Sequence, residues 1–194
     1  MVNILFVCTG NTCRSPMAEG IFRQFIKQYS LEINVRSAGI HTTTGNPISH
    51  LSRVILSEEG FQEAISSKSI DEHDLIWADI ILTMTIQHKQ WIIQNFHEAL
   101  ERTYTLKEYV GDEDGLRQFI EERDVLITNL QLRQTLSQKN QDHENQRLIE
   151  LENLIPSSDV TDPFGGDIET YRLTAKEIKE LLVKLMNKLN NRGE

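Results

Sequence analysis

The chain has 194 residues, enough for one decorated domain or at most two. At this size roughly 70% of the unfolded surface is buried on folding, so no metal or disulfide staple is required. The 20 basic and 29 acidic residues leave a net charge of -9. Such a surface repels nucleic-acid backbones and anionic membranes, which argues against both as partners. No apolar run approaches the roughly 18 residues of a membrane span. The opening Met1-Val2-Asn3-Ile4 has no basic stretch or small-residue cleavage pattern. The two cysteines, Cys8 and Cys13, are too few for a secreted disulfide framework or a structural zinc site. These features predict a reducing, cytoplasmic location, with no metal and no other cofactor.

Residues 3–7 are a short apolar run of β-formers, a candidate buried strand. Small polar residues fill positions 8–15. From Pro16 the spacing of Met17, Ile21, Phe22, Phe25 and Ile26 is helical, with Ser15 as expected cap and Pro16 in the first turn. A second strand is expected over 33–36, ending at Ser37-Ala38-Gly39, and a helix over 48–59, stopped by Gly60. A third strand is expected over 79–84, a helix over 87–96 and a short fourth strand over 104–106. Alternating strands and helices predict an α/β fold with a parallel sheet.

The segment 111–161 holds 11 acidic and 5 basic residues, so it carries -6 of the total charge. Its reading over 116–154 is helical, with a Gln- and Asn-rich centre at 138–146. The expectation is a helical insertion at 111–158 within a single domain spanning 1–194. An amphipathic helix over 168–190 closes the chain, with Ile178, Leu181, Leu182, Leu185 and Leu189 on one stripe.

The chemistry concentrates in Cys8-Thr9-Gly10-Asn11-Thr12-Cys13-Arg14-Ser15, a Cys and an Arg separated by five residues between a strand and a helix start. The spacing alone is weak; the strand–loop–helix context gives it weight. Gly10 is expected to supply an unusual backbone angle. Such a loop can wrap a tetrahedral oxyanion with inward amides and the helix's positive end, while Arg14 binds two oxygens in a fork. The same field favours a thiolate on Cys8, a nucleophile at the floor of an anion cradle, suited to phosphoryl transfer. A leaving group then needs a proton, and Asp162 in Asp162-Pro163-Phe164-Gly165-Gly166 is the candidate, since Pro163 holds it extended beside a turn. Asp159 and Asp167 are nearby rivals.

Together the strand 4–7, the loop 8–16, Ser37-Ala38-Gly39 and Asp162-Pro163 resemble the low-molecular-weight protein tyrosine phosphatase family over residues 1–110 and from 159 onward. The resemblance implies a four-stranded parallel sheet flanked by helices, a flavodoxin-like fold. It implies Cys8 as nucleophile, Arg14 as transition-state anchor, Ser15 as thiolate stabiliser, Asp162 as acid, and Asn11 with Ser37 as loop support. Tyrosine phosphatases of the family usually carry a bulky aliphatic residue where this chain has Thr12, and a Tyr pair where it has Phe164-Gly165. Those residues, with Met84-Thr85 and Leu106-Lys107-Glu108-Tyr109-Val110, look like the bacterial protein-arginine phosphatase branch. The implied substrate is phosphoarginine in proteins, with Thr12 and Phe164 setting selectivity. The insertion departs from both branches.

Other readings stand beside this one: a protein-tyrosine phosphatase, or a non-catalytic module that binds phosphorylated residues. An arsenate reductase shares the loop but needs more cysteines than Cys8 and Cys13. Cys13 is either packing or a thiol that traps oxidised Cys8. The six histidines show no ligand spacing and are expected to be satisfied or exposed. Trp77 and Trp91 are expected in the core or a groove wall.

Overall fold

The structure is a computed structural model that describes residues 1–111, 113–135, 142–154 and 157–191. In chain order its elements are β1 (Val2–Cys8), α1 (Arg14–Tyr29), β2 (Ile33–Gly39), α2 (His50–Glu58), α3 (Glu72–Trp77), β3 (Ile80–Thr83), α4 (Ile86–Asn95), a 3-10 turn (His97–Arg102), β4 (Thr103–Thr105), α5 (Leu106–Val110), α6 (Glu113–Thr135), α7 (Asp142–Leu154) and α8 (Ile168–Asn191). They fall into two compact units, Met1–Val110 with Asp159–Glu194, and Gly111–Ser158.

The first unit is the expected four-stranded parallel sheet flanked by helices, in the order β2-β1-β3-β4. β1 is central and covered on both faces, which is why its sequence is an unbroken apolar run. Ile4, Phe6 and Cys8 point into a core with Met17, Ile21 and Phe22 of α1, Leu56 of α2, and Ile178, Leu182 and Leu185 of α8. Leu5 and Val7 point the other way, onto Leu75 of α3 and Ile92 of α4. The chain leaves β1 for β2 on one side and reaches β3 on the other. Their carboxyl ends therefore open a crevice, the usual ligand position in an open parallel sheet. The loop 9–13 sits there.

Three local differences from the sequence reading have physical causes. α1 begins at Arg14 with Cys13 at its N-cap and no side-chain cap, because the Ser15 hydroxyl is used elsewhere. α3, a six-residue helix with an Asp71–Asp74 capping box, is too short to show a period. β4 ends one residue earlier than expected, and α5 starts at once on Leu106.

In the second unit the helical reading of 116–154 divides into α6 and α7. Arg147 on α7 grips Glu122 on α6 with two bonds of 2.7 and 2.9 Å, the fork geometry guanidinium favours. Residues 138–141 of the expected polar centre lie outside the described residues. No helix among the described residues is long and apolar enough to cross a membrane.

Candidate active site

The loop after β1 turns its carbonyls outward. The Cys8 carbonyl accepts from Ile40 N at 3.0 Å, Thr9 from His41 N at 2.9 Å and Thr12 from Ser49 N at 2.9 Å. Each trans peptide points its N–H opposite to its C=O, so the amides of Thr9, Gly10 and Cys13 face the other way, into the cradle.

Asn11 makes the turn possible. Its φ of 50° lies in the left-handed region, whereas Gly10 is not among the residues with positive φ. The expected unusual angle therefore belongs to Asn11, a residue that tolerates this region because its short side chain bonds locally. That side chain is fully buried and spent: Nδ2 donates to Ser15 Oγ at 2.9 Å and Ser37 Oγ at 2.8 Å, and Oδ1 accepts from Lys68 N at 2.8 Å. Ser37 in turn donates to Glu19 at 2.5 Å, a buried carboxyl whose pKa burial pushes up and which Arg23 pairs at 2.5 Å. Gly39 lies beneath the loop; a Cβ there would stand 2.7 Å from the Thr9 carbonyl oxygen.

This network fixes the protons around Cys8. Ser15 Oγ accepts from Asn11, so its own proton is free to point at the Cys8 sulfur 2.9 Å away, closer than the Ala38 carbonyl at 3.4 Å. The Asn11 amide donates to the same sulfur at 3.2 Å. Two donors thus converge on one buried sulfur.

Arg14 is 5% exposed in the first turn of α1. Its Nη2 donates to Asp162 Oδ2 at 2.8 Å and its Nη1 to the Val160 carbonyl at 3.4 Å. Its Nε is buried with no hydrogen-bond partner among the described residues. An orphaned guanidinium donor beside inward amides suits an anion. Val160 N is tied to the Met84 carbonyl at the end of β3. The two rival carboxylates are committed elsewhere: Asp159 accepts from Ile86 N at the start of α4, and Asp167 caps α8 through Thr170. Only Asp162 meets Arg14, with its side chain 52% exposed. Phe164, two residues on, is 81% exposed.

Cys13 is buried, its sulfur 3.1 Å from Tyr171 OH on α8 and 3.6 Å from Thr12 Oγ1. Burial first, then the Cys13 contact, raises the Tyr171 pKa. The sequence reading missed Tyr171, Glu19 and His88. Tyr171 left no signal, being 158 positions from Cys13. His88 carried one: Thr85 three residues before it is a helix-cap spacing. His88 is 4% exposed, and its ring bonds Thr9 Oγ1 and Thr85 Oγ1, both at 2.8 Å. Burial, then Arg14, lowers its pKa to about 4. Trp77 and Trp91 pack, half-buried, against the second core, as expected.

An α/β domain that sets a Cys-to-Arg anion loop at the switch point of a parallel sheet defines a class of phosphate-handling enzymes. The family described as low molecular weight phosphotyrosine protein phosphatase matches residues 3–122, and the chain belongs to it. It is 33% identical over 186 residues to the protein-arginine-phosphatase of Geobacillus stearothermophilus, covering 96% of this chain and 95% of that one. It is 30% identical over 184 residues to the low molecular weight protein-tyrosine-phosphatase PtpB of Staphylococcus haemolyticus, covering 95% and 97%. A mutant of YwlE arginine phosphatase with a phosphorylated active-site serine superposes with a TM-score of 0.72 at 31% identity, covering 97% of this chain and 96% of that one. The chain is a phosphatase of this family.

Proposed function

We propose that this phosphatase hydrolyses phosphoarginine in proteins through a phosphoryl-cysteine at Cys8. The observation that carries the mechanism is the Cys8 sulfur, held by Ser15 Oγ and Asn11 N beneath a loop that closes on Arg14 and Asp162. The residues 9–15 bind the phosphoryl oxygens through their amides and the Arg14 guanidinium. The Cys8 sulfur attacks phosphorus, the P–N bond breaks, and Asp162 gives its proton to the departing guanidine nitrogen. Water then attacks the phosphoryl-cysteine, Asp162 takes its proton, and inorganic phosphate leaves with the thiolate restored. Substrate phosphate competes with Asp162 for Arg14, which turns the carboxyl toward the leaving group.

Thr12 supports arginine over tyrosine. It is smaller than Ile or Leu at the mouth of the loop, and its hydroxyl suits a polar guanidinium better than a phenyl ring. Phe164 can stack on either plane, so discrimination rests chiefly with Thr12. The arginine phosphatase is also somewhat more similar in sequence than the staphylococcal enzyme. A second reading, a protein-tyrosine phosphatase, draws on that 30% identical relative.

Competing phosphoarginine and phosphotyrosine peptides for one sample decides between them. The expected result is preference for phosphoarginine in kcat/KM, and a Thr12→Ile ratio shifted about tenfold toward phosphotyrosine. An unchanged ratio removes Thr12 as selector; no turnover of either peptide overturns both substrate readings. Residues 111–158 are read as an insertion within a single phosphatase domain. Cys13 is read as the thiol that attacks a Cys8 sulfenic acid, releasing water and forming a protective disulfide.

A further inference from the structure

The loop 8–15 is clamped from the β2 side by Asn11, Ser37 and Glu19. A second clamp comes from the β3 side, and the described mechanism does not use it. His88, in the first turn of α4, places Nε2 2.8 Å from Thr9 Oγ1 and Nδ1 2.8 Å from Thr85 Oγ1. Thr9 directly follows Cys8, and its amide is one of those facing the cradle.

The protons can be assigned from the partners of the two hydroxyls and from their exposure. Thr85 is the N-cap of α4, and its Oγ1 already accepts from His88 N at 3.3 Å. If Nδ1 carried the ring proton, it too would point at Thr85 Oγ1. The Thr85 hydroxyl proton would then have no acceptor among the described residues. With Nδ1 bare, the Thr85 hydroxyl donates to it, and Nε2–H donates to Thr9 Oγ1. The hydroxyl proton then left over is that of Thr9, which is exposed where Thr85 is half-buried, so it is free for solvent or an incoming oxyanion. Arg14 and Asp162 both act on the ring electrostatically, so the relay lies within reach of the candidate catalytic pair.

We propose that His88 is a positioning residue: as the Nε2–H tautomer it pins Thr9, and so directs the Thr9 hydroxyl proton to the bound phosphoryl group. The inference rests on reading residues 8–15 as the phosphate site. A ring locked between two hydroxyls leaves the loop less to reorganise when phosphorus becomes trigonal bipyramidal, the condition under which fixed donors count most.

Long-range proton–nitrogen NMR of the full chain at neutral pH reads the tautomer directly. The relay requires a protonated Nε2 and a bare Nδ1 on His88; a protonated Nδ1 overturns it, whatever the activity. Kinetics with an aryl phosphate supply the second arm. His88→Phe and Thr9→Val should each lower kcat/KM about tenfold and weaken inhibition by inorganic phosphate. The double variant should be no worse than either single one, and His88→Gln, which can still donate to Thr9, should recover most of the loss. Additive losses, or no recovery by Gln, overturn the relay. Wild-type protein that turns over no phosphorylated compound instead defeats the phosphate-site reading.

Discussion

The loop that carries Cys8 and the loop that carries Asp162 meet at Arg14, yet they are built in opposite ways. In the first, Asn11 and Ser15 are completely buried and every side-chain donor and acceptor on Asn11 is spent. In the second, Asp162 is half open to solvent and Phe164 nearly bare. A few backbone bonds hold that loop: Val160 N to Met84, Thr161 N to Glu177 Oε2 at 3.1 Å, and Gly166 N to Pro163. The difference matches the two tasks proposed for these loops. A cradle for the transition state must not reorganise, whereas a carboxyl that serves first as acid and then as base needs room to turn and access for water.

The contrast can be broken at either loop. The largest effect is expected for Asp162→Asn: turnover of substrates with poor leaving groups should fall about 10²- to 10⁴-fold, and phosphoenzyme formation from a good aryl leaving group far less. Equal losses for both leaving groups in rapid-mixing kinetics would refute the acid role. Asn11→Ala should act on stability as well as rate. It strands Ser15, Ser37 and Lys68 N and puts Ala at positive φ, so chemical denaturation should show a loss of about 3 kcal/mol.

A smaller, pH-dependent effect comes from His88, which Arg14, His41 and Asp162 all influence. Its folded pKa, about 4, lies below the unfolded value near 6.5. Between those values the unfolded chain binds a proton that the folded chain refuses. Stability should therefore fall as pH drops from about 6.5 to 4, by up to about 3 kcal/mol from this residue. Denaturation of His88→Gln at several pH values should show a flatter slope. Smallest of all is Cys13→Ser, expected to keep its activity and lose only the speed of recovery after peroxide. Unchanged recovery would remove the disulfide role.

Much of the fold was legible because β1 carries an unbroken apolar run and α8 is a long helix with one regular apolar stripe. What escaped were short elements such as α3 and α5, whose few residues cannot show a period. At the site, positions 8–15 were legible because one continuous stretch carries both the sulfur and the guanidinium. Asp162 was legible through its neighbour Pro163, though only the fold sets it on Arg14 while tying Asp159 and Asp167 to helix starts. The angle assigned to Gly10 went to Asn11 because the buried amide there is bonded on every side. His88 and Tyr171 escaped because their partners, Thr9 and Cys13, are distant in sequence and adjacent only after the sheet is wound.

Cys8 as the phosphoryl acceptor is the step on which the proposed mechanism turns. Asp162→Asn protein, mixed with an aryl phosphate and quenched within the first turnover, should yield a phosphoryl group on Cys8 by peptide mass spectrometry, because hydrolysis has lost its base. Phosphate release with an unmodified Cys8, or an adduct on any other residue, would contradict it.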